Sequence, residues 1–302
     1  MSGFHVPPGR FTLAGPPRSV PLAVRAALLF GGFLNQFGWG FFGFGMIFVW
    51  VFGMRTDPLA WRDFAGDLQQ VQGVVTRCED TGASVGGSEH SRGTPIYAHH
   101  FRFEVNGQSY EGVSYTVGTQ TKPAQAVTVE FPPGNPARCR IRGMQTAMFP
   151  PWLLLICIFP VVGFCFLTAG FLRGRRAIRL LKEGLVARGA LRSKEPTNTR
   201  INRRTVYKLT FAFQDELGQT HEAVARTHEP ERLEDDAEEP LLYDPVHPSR
   251  ATLLDHLPGA PRIDDMGQIQ TQSSARAMLT LVLPTITVIG HGLYLWYWLQ
   301  RA

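Results

Sequence analysis

Charge is missing from three long stretches of this 302-residue chain, and that absence decides its class. No Asp, Glu, Lys or Arg occurs between Ala26 and Met54, between Phe149 and Leu172, or between Ala277 and Leu299. Each run exceeds the roughly 20 residues a helix needs to cross the hydrocarbon core, so each reads as a membrane span rather than a helix of a soluble core. Acid is missing from the leader, residues 1–25, which carries Arg10, Arg18 and Arg25. Cysteine is scarce, four in all, which excludes a disulfide-rich scaffold. The basic excess is small, 30 Lys and Arg against 25 Asp and Glu, so no nucleic-acid partner is expected. Also missing are a Gly-rich loop opening a helix, a helical H-E-x-x-H and a recognisable nucleophile–base pair. No enzyme activity, catalytic residue, metal site or cofactor is therefore expected.

The runs divide the chain into a leader (1–25), a first span (26–54), a first soluble segment (55–148), a second span (149–172), a second soluble segment (173–276) and a third span (277–299). The first run is longer than the about 7–15 apolar residues of a signal peptide and has no A-x-A-like site after it, so it reads as a retained anchor. Pro160 and Pro284 fall inside spans, where they are expected to kink the helix. Tyr294, Trp296, Tyr297, Trp298 and Arg301 close the third run as an interfacial belt. Basic residues flank the start of the first span and the end of the second, where Arg173, Arg175, Arg176, Arg179 and Lys182 cluster. That places the leader and the 173–276 segment in the cytoplasm and the 55–148 segment outside. The plasma (inner) membrane of a bacterium is the expected location, and the lipid bilayer the expected partner. Cys78 and Cys139 both fall in the exported segment, where a disulfide between them would persist.

The two soluble segments repeat one another. "YAHHFRF" (Tyr97–Phe103) matches "YKLTFAF" (Tyr207–Phe213), each followed by a Gly-Gln turn and then by a phrase, "FPPGNPAR" in one and "YDPVHPSR" in the other. Aromatic residues at even spacing share one face of a strand. Asn106-Gly107 suits a two-residue hairpin. In the phrase, Pro133, Asn135 and Pro136, and their counterparts Pro245, His247 and Pro248, end one strand and turn the chain into the next. The expected fold is an α+β membrane protein: three transmembrane helices carrying two small all-β domains, barrel- or sandwich-like, in tandem repeat.

With a span ahead of Gly73-Val74-Val75, an aromatic strand ending in Gly-Gln, and "YDPVHP" or "FPPGNP", the chain resembles the domain-of-unknown-function 3592 family of membrane proteins. The resemblance covers both soluble segments and their adjacent spans. It departs at Pro132, where Asp is usual, and at His247, where Asn is usual. It implies the architecture and no activity.

In the first span Phe30, Phe33, Phe37, Phe41, Phe44, Phe48 and Phe52 recur at helical spacing, and glycines fill the remaining arc. Gly31, Gly38 and Gly45, with Asn35 and Gln36, are the expected packing face, small residues allowing close approach and buried amides needing partners within the bundle. His99 and His100, adjacent on a strand, face opposite ways and cannot share an ion. The acidic run Glu229–Glu239 reads as a solvated loop. Together these features point to a membrane-anchored binding or scaffold protein, with an accessory subunit of a transporter or envelope complex, docking through the glycine face on a membrane-protein partner or a second copy, as the alternative. A membrane enzyme of unrecognised type is the remaining class.

Overall fold

The computed structural model of the chain describes residues 13–87, 93–234, 237–259, 261–264 and 266–300. Arg10, Arg301 and, within the acidic run, Asp235 and Asp236 lie outside the described residues. The protein is α+β, with two five-stranded antiparallel sheets and three helices long and apolar enough to cross a membrane: Gly32–Arg55, Pro151–Glu183 and Ser274–Leu299. It divides into two units, Phe44–Pro160 and Met1–Gly43 with Val161–Ala302.

The first apolar run is two helices rather than one. Helix α1 (Leu22–Phe30) ends at Gly31, which is extended, and α2 (Gly32–Val51) starts at once from Gly32 with φ +76°. A positive φ is open to glycine and strains most other residues, so the Gly-Gly pair permits a sharp break that apolarity alone conceals. The helix long and apolar enough to cross a membrane therefore begins at Gly32, and the residues from Ala26 to Phe30 belong to α1. Its partner helices also begin in two steps. A 3-10 turn, Pro151–Cys157, precedes the helix Ile158–Glu183, and a short helix, Ser274–Leu279, precedes Val282–Leu299. Pro160 and Pro284 thus stand in the first turn of their α-helices, a position that proline tolerates.

In the unit Phe44–Pro160, the one-turn helix α3 (Ala60–Asp63) leads into β1 (Gln69–Val85), β2 (Thr94–Val105), β3 (Gln108–Val117), β4 (Ala126–Phe131) and β5 (Arg140–Ile141). The sheet runs in the order β3-β2-β1-β4-β5. Its edges meet: Tyr115 and Gln145 exchange backbone hydrogen bonds of 2.8 and 3.0 Å, and Ile141 N–H donates to the buried Ser114 Oγ at 2.9 Å. Alternation places Val75, Phe101, Phe103, Val129, Phe131 and Ile141 inside as one apolar cluster. Asn106 and Gly107, φ 53° and 78°, make the β2–β3 hairpin as their sequence suggests.

The other unit continues through α4 (Ile158–Glu183), whose last turns carry Arg173 to Lys182. The second sheet starts at Leu185. Its strands are β6 (Leu185–Ile201), β7 (Arg204–Gln214), β8 (Thr220–Thr227), β9 (Glu239–Tyr243) and β10 (Ala251–Leu253), in the order β8-β7-β6-β9-β10. A two-stranded piece, β11 (Arg262–Ile263) with β12 (Ile269–Gln270), then leads to α5 (Ser274–Leu279) and α6 (Val282–Leu299). Leu209, Phe211, Phe213, Leu241 and Tyr243 form the sheet's own core. A second cluster joins Val24 and Leu28 of α1 to Leu181 of α4, Leu242 of β9 and Leu257.

Candidate functional site

The expected packing face of the first long apolar helix is brought into contact with the other two. A Cβ on Gly38 would lie 3.0 Å from Leu167 of α4, one on Gly45 2.7 Å from Pro160, and one on Gly43 2.8 Å from Thr287 Oγ1 of α6. Three glycines of α4 do the same in return: a Cβ on Gly163 would meet Phe42, on Gly170 Asn35 and on Gly174 Leu28, each at 2.5 Å or less. Gly163, Gly170 and Gly174 recur at helical spacing and so share one face of α4, a signal present in the sequence. Phe33 and Phe44 are turned outward, 77% and 58% exposed within the protein.

The buried Asn35 and the half-buried Gln36 serve the break. Asn35 Nδ2 donates to Gly31 O at 3.1 Å, and Gln36 Nε2 donates to Phe30 O at 2.7 Å and to Thr280 O at 2.9 Å. These carbonyls end α1 and α5 and lack partners within their own helices. One side chain thus ties together the points where the first and third apolar segments are interrupted. Further along α2, His291 of α6 lies 3.1 Å from Gly43 O. At the far end of α4, Arg18 is buried and donates to Leu181 O at 3.1 Å and Gly184 O at 2.8 Å, besides a bond to Ala14 O. A cation is favoured at a helix C-terminus, where carbonyls are unpaired. Burial holds the Arg18 pKa below the usual guanidinium value. Nothing local in the sequence marks Arg18 for this; the contact spans more than half the chain.

Cys78 and Cys139 are free thiols, which corrects the expected bridge. Cys139 Sγ is packed inside the first sheet, 2.7 Å from where a Gly112 Cβ would stand, whereas Cys78 lies on β1 opposite His99. Burial pushes the Cys139 thiol up to about 11.

The two proline phrases adopt one geometry. Asn135 N–H donates to Pro132 O and Arg138 N–H to Asn135 O, at 3.1 and 3.2 Å. His247 N–H and Arg250 N–H repeat both bonds at 3.1 and 2.8 Å, to Asp244 O and His247 O. Pro133 and Pro136, and Pro245 and Pro248, lie in these links between β4 and β5 and between β9 and β10. Both are turns.

Sequence reasoning passed over what Arg138 does next. Its Nε donates to Asp63 at 2.9 Å, its Nη2 pairs with Asp57, and Thr146 Oγ1 donates to the same Asp57 oxygen at 2.6 Å. Burial opposes the Asp57 charge, but the bonds from Arg138 and Thr146 outweigh it and hold its pKa below the usual carboxylate value. Arg140 stands beside this group, Nε 2.6 Å from the buried Glu130 and its guanidinium 4.3 Å from the centre of the Phe64 ring. A cavity of about 300 Å³ opens between them, lined by Asp57, Trp61, Phe64, Arg140, Thr146 and Phe149, among others. A second cavity of about 390 Å³ lies over the β1 bulge between Thr76, Arg77, His100, Glu111 and Gly112.

His99 and His100 separate as expected of neighbours on a strand. His99 is fully buried and accepts from Thr121 N–H at 3.1 Å; His100 reaches Glu79 at 3.6 Å. Among the described residues no three His, Cys, Asp or Glu side chains gather where an ion could be held.

No family model matches the chain, and no curated protein matches it. A chain of a replication protein A heterotrimer bound to ssDNA is similar over 74% of this chain and 54% of its own length, at 7% identity and a TM-score of 0.17. The chain therefore spans about half the length of that structure, and a likeness this low carries no argument about fold or nucleic acid.

Proposed function

We propose that the chain is a membrane-anchored binding or scaffold protein that presents one β domain on each side of a bilayer. The observation that carries the reading is α4 with its 3-10 lead-in, Pro151–Glu183: a helical segment of 33 residues, lying between the two sheets in the sequence, that holds an 18-residue stretch of mean hydropathy 2.5. If it crosses, the sheets face opposite compartments. Basic residues at the end of α4 and in the leader favour the cytoplasm for the second sheet, in the plasma membrane of a bacterium. The two domains derive from one duplicated unit, a reading supported by shared strand order and by bulges at matching places: Val75/Arg77 and Asp80/Ser84 in β1, Leu191/Ser193 and Pro196/Arg200 in β6. The resemblance to the domain-of-unknown-function 3592 family fits this arrangement. A second reading, an accessory subunit, draws support from Gly40, Gly290 and Gly292, around which a Cβ would meet nothing within 4 Å. A neighbouring helix could approach closely there.

Thiol labelling in intact and broken cells tests the topology. In a chain whose other cysteines are replaced, Cys78 reacts with a membrane-impermeant maleimide in intact cells, whereas a Ser193→Cys variant reacts only after breakage. Equal labelling of both in intact cells overturns the two-sided arrangement. Co-purification of a stoichiometric membrane partner would favour the accessory-subunit reading.

A further inference from the structure

The cavity beside α3 lies where the chain leaves one apolar helix and enters another. Asp57 follows the first span, which ends at Arg55, and Phe149 and Pro150 precede the second, which starts at Pro151. Phe149 N–H donates to Arg55 O at 3.1 Å, so the two segments are joined at this level. Trp61 and Trp152 are 71% and 66% exposed around the same place, and tryptophan favours the depth of lipid headgroups.

The polar groups of the cavity are unequal. Asp57 already accepts from Arg138, Thr146 and the Leu59 N–H. Arg140 is different: its Nε is spent on Glu130, and among the described residues its two terminal nitrogens have no hydrogen-bond acceptor. A guanidinium carries five N–H donors in a planar fork, so a forked pair remains to be satisfied from the cavity. Phosphate oxygens match that fork, and the walls of Trp61, Phe149 and Pro151 suit the glycerol and first methylenes of a lipid.

We infer that this cavity binds the phosphate of a membrane phospholipid, with the terminal N–H groups of Arg140 as donors. The inference rests on the reading that the flanking helices cross a bilayer. The site anchors one lipid at the foot of the first β domain and fixes the domain's depth.

The test uses the full chain, delipidated in detergent, with bound lipid counted by native mass spectrometry. Dioleoylphosphatidylglycerol is retained at least about tenfold more tightly than dioleoylglycerol, which has the same chains and no phosphate, as expected for a charge-assisted hydrogen bond. Arg140→Gln removes that preference. Ala60→Trp fills the cavity while leaving the Arg140–Glu130 pair in place, and removes it too. Equal retention of the two lipids, or an unchanged preference in Ala60→Trp, overturns the site. Displacement of the phospholipid by micromolar inorganic phosphate overturns the lipid assignment in favour of a soluble phosphate. Carbonate extraction of cell membranes reads the underlying premise separately. Release of the protein overturns the membrane reading itself, and retention with unselective lipid binding overturns the headgroup site alone.

Discussion

The two β domains are built on one skeleton and filled differently. Gly73 and Gly189 lie opposite Phe103 and Phe213, and Thr81 and Thr197 donate to Ile96 O and Val206 O at 2.8 and 2.7 Å. On that frame, register pairs His99 with Leu209, both fully buried. It pairs Gly112 and Cys139 of the first domain with Ala223 and Ala251 of the second. It pairs Thr76, over which a cavity opens, with Arg192, which reaches Glu222 at 2.8 Å. The attachments differ as well. Arg138 ties the first proline turn to α3, while the second domain is joined to α1 and α4 by an apolar cluster and by Arg18. Strand order and bulges therefore belong to the shared frame, and interior volume, polarity and anchoring are free to vary on it.

The largest effect is expected where an attachment is buried. Arg18→Leu leaves the carbonyls of Leu181 and Gly184 without their donor, a loss of about 1.5–3 kcal/mol for a charged hydrogen bond. Hydrogen exchange of the β6–β9 amides should quicken, and that of β1–β4 should not. Arg138→Leu breaks more exposed pairs and gives a smaller change, confined to the first domain. Equal effects of the two substitutions would remove the contrast between the attachments.

Next comes the exchange of volume between strands. A Cβ on Gly112 would stand 2.5 Å from Phe101 Cζ and 2.7 Å from Cys139 Sγ, and both side chains are buried. Gly112→Ala should cost about 1–3 kcal/mol by overpacking. Adding Cys139→Ala reproduces the second domain's pair and recovers most of that cost; denaturant titration of the four proteins closes the cycle. Additive losses would mean that the positions are not coupled.

Much of this frame is legible in the sequence, for definite reasons. Long apolar runs identify the three long helices, and even spacing in Tyr97–Phe103 and Tyr207–Phe213 identifies the central strands. Asn106-Gly107 identifies the hairpin. What is not legible depends on partners far along the chain. Gly31-Gly32 breaks the first run because Gln36 and Asn35 cap the exposed carbonyls, and no window around residue 31 reveals Thr280. Arg173 to Lys182 look like the start of a soluble segment, yet they prolong α4, because Ala177 and Leu181 between them find an apolar cluster to join. Arg138 repeats in Arg250 as part of one phrase, and only the inserted Asp57 and Asp63 distinguish their roles. The disulfide expectation failed for a related reason: compartment says that a bridge would persist, but Cys139 is already taken into the Phe101–Gly112 contact.

A third effect is pH-dependent. Burial holds the His99 pKa below its ordinary 6.5, with the nearby Ser114 and Tyr97 carbonyls only partly offsetting it. Above that value both folded and unfolded chains keep the ring neutral. As pH falls through it, the unfolded chain takes up a proton first, and stability drops by up to about 1.4 kcal/mol per pH unit until the folded pKa is reached. His99→Leu, the second domain's residue, removes this slope. It also leaves Thr121 N–H without its acceptor, a loss of about 1–3 kcal/mol that does not depend on pH. Denaturant titrations at pH 7.5 and 5.5 separate the two, and an unchanged slope in the variant would place the acid sensitivity elsewhere.

The smallest effect concerns the groove over the β1 bulge. Thr76→Arg places a guanidinium across from Glu111, as Arg192 stands across from Glu222 in the second domain. An exposed pair of this kind is worth about 0.2–1 kcal/mol, and the substitution also gives up the 3.2 Å bond from Thr76 Oγ1 to His100 O. The two nearly cancel, so stability should move by no more than about 0.5 kcal/mol, as at most surface positions. Accessibility is the informative readout. With Thr76 the cavity leaves the Gly112 backbone approachable between β1 and β3, and with Arg in its place amide exchange at Gly112 and Val113 should slow while β4 is unaffected. A large loss of stability would instead show that the bulge in β1 requires a small residue. The groove would then be a condition of the first domain's fold rather than a surface left open by one missing ion pair.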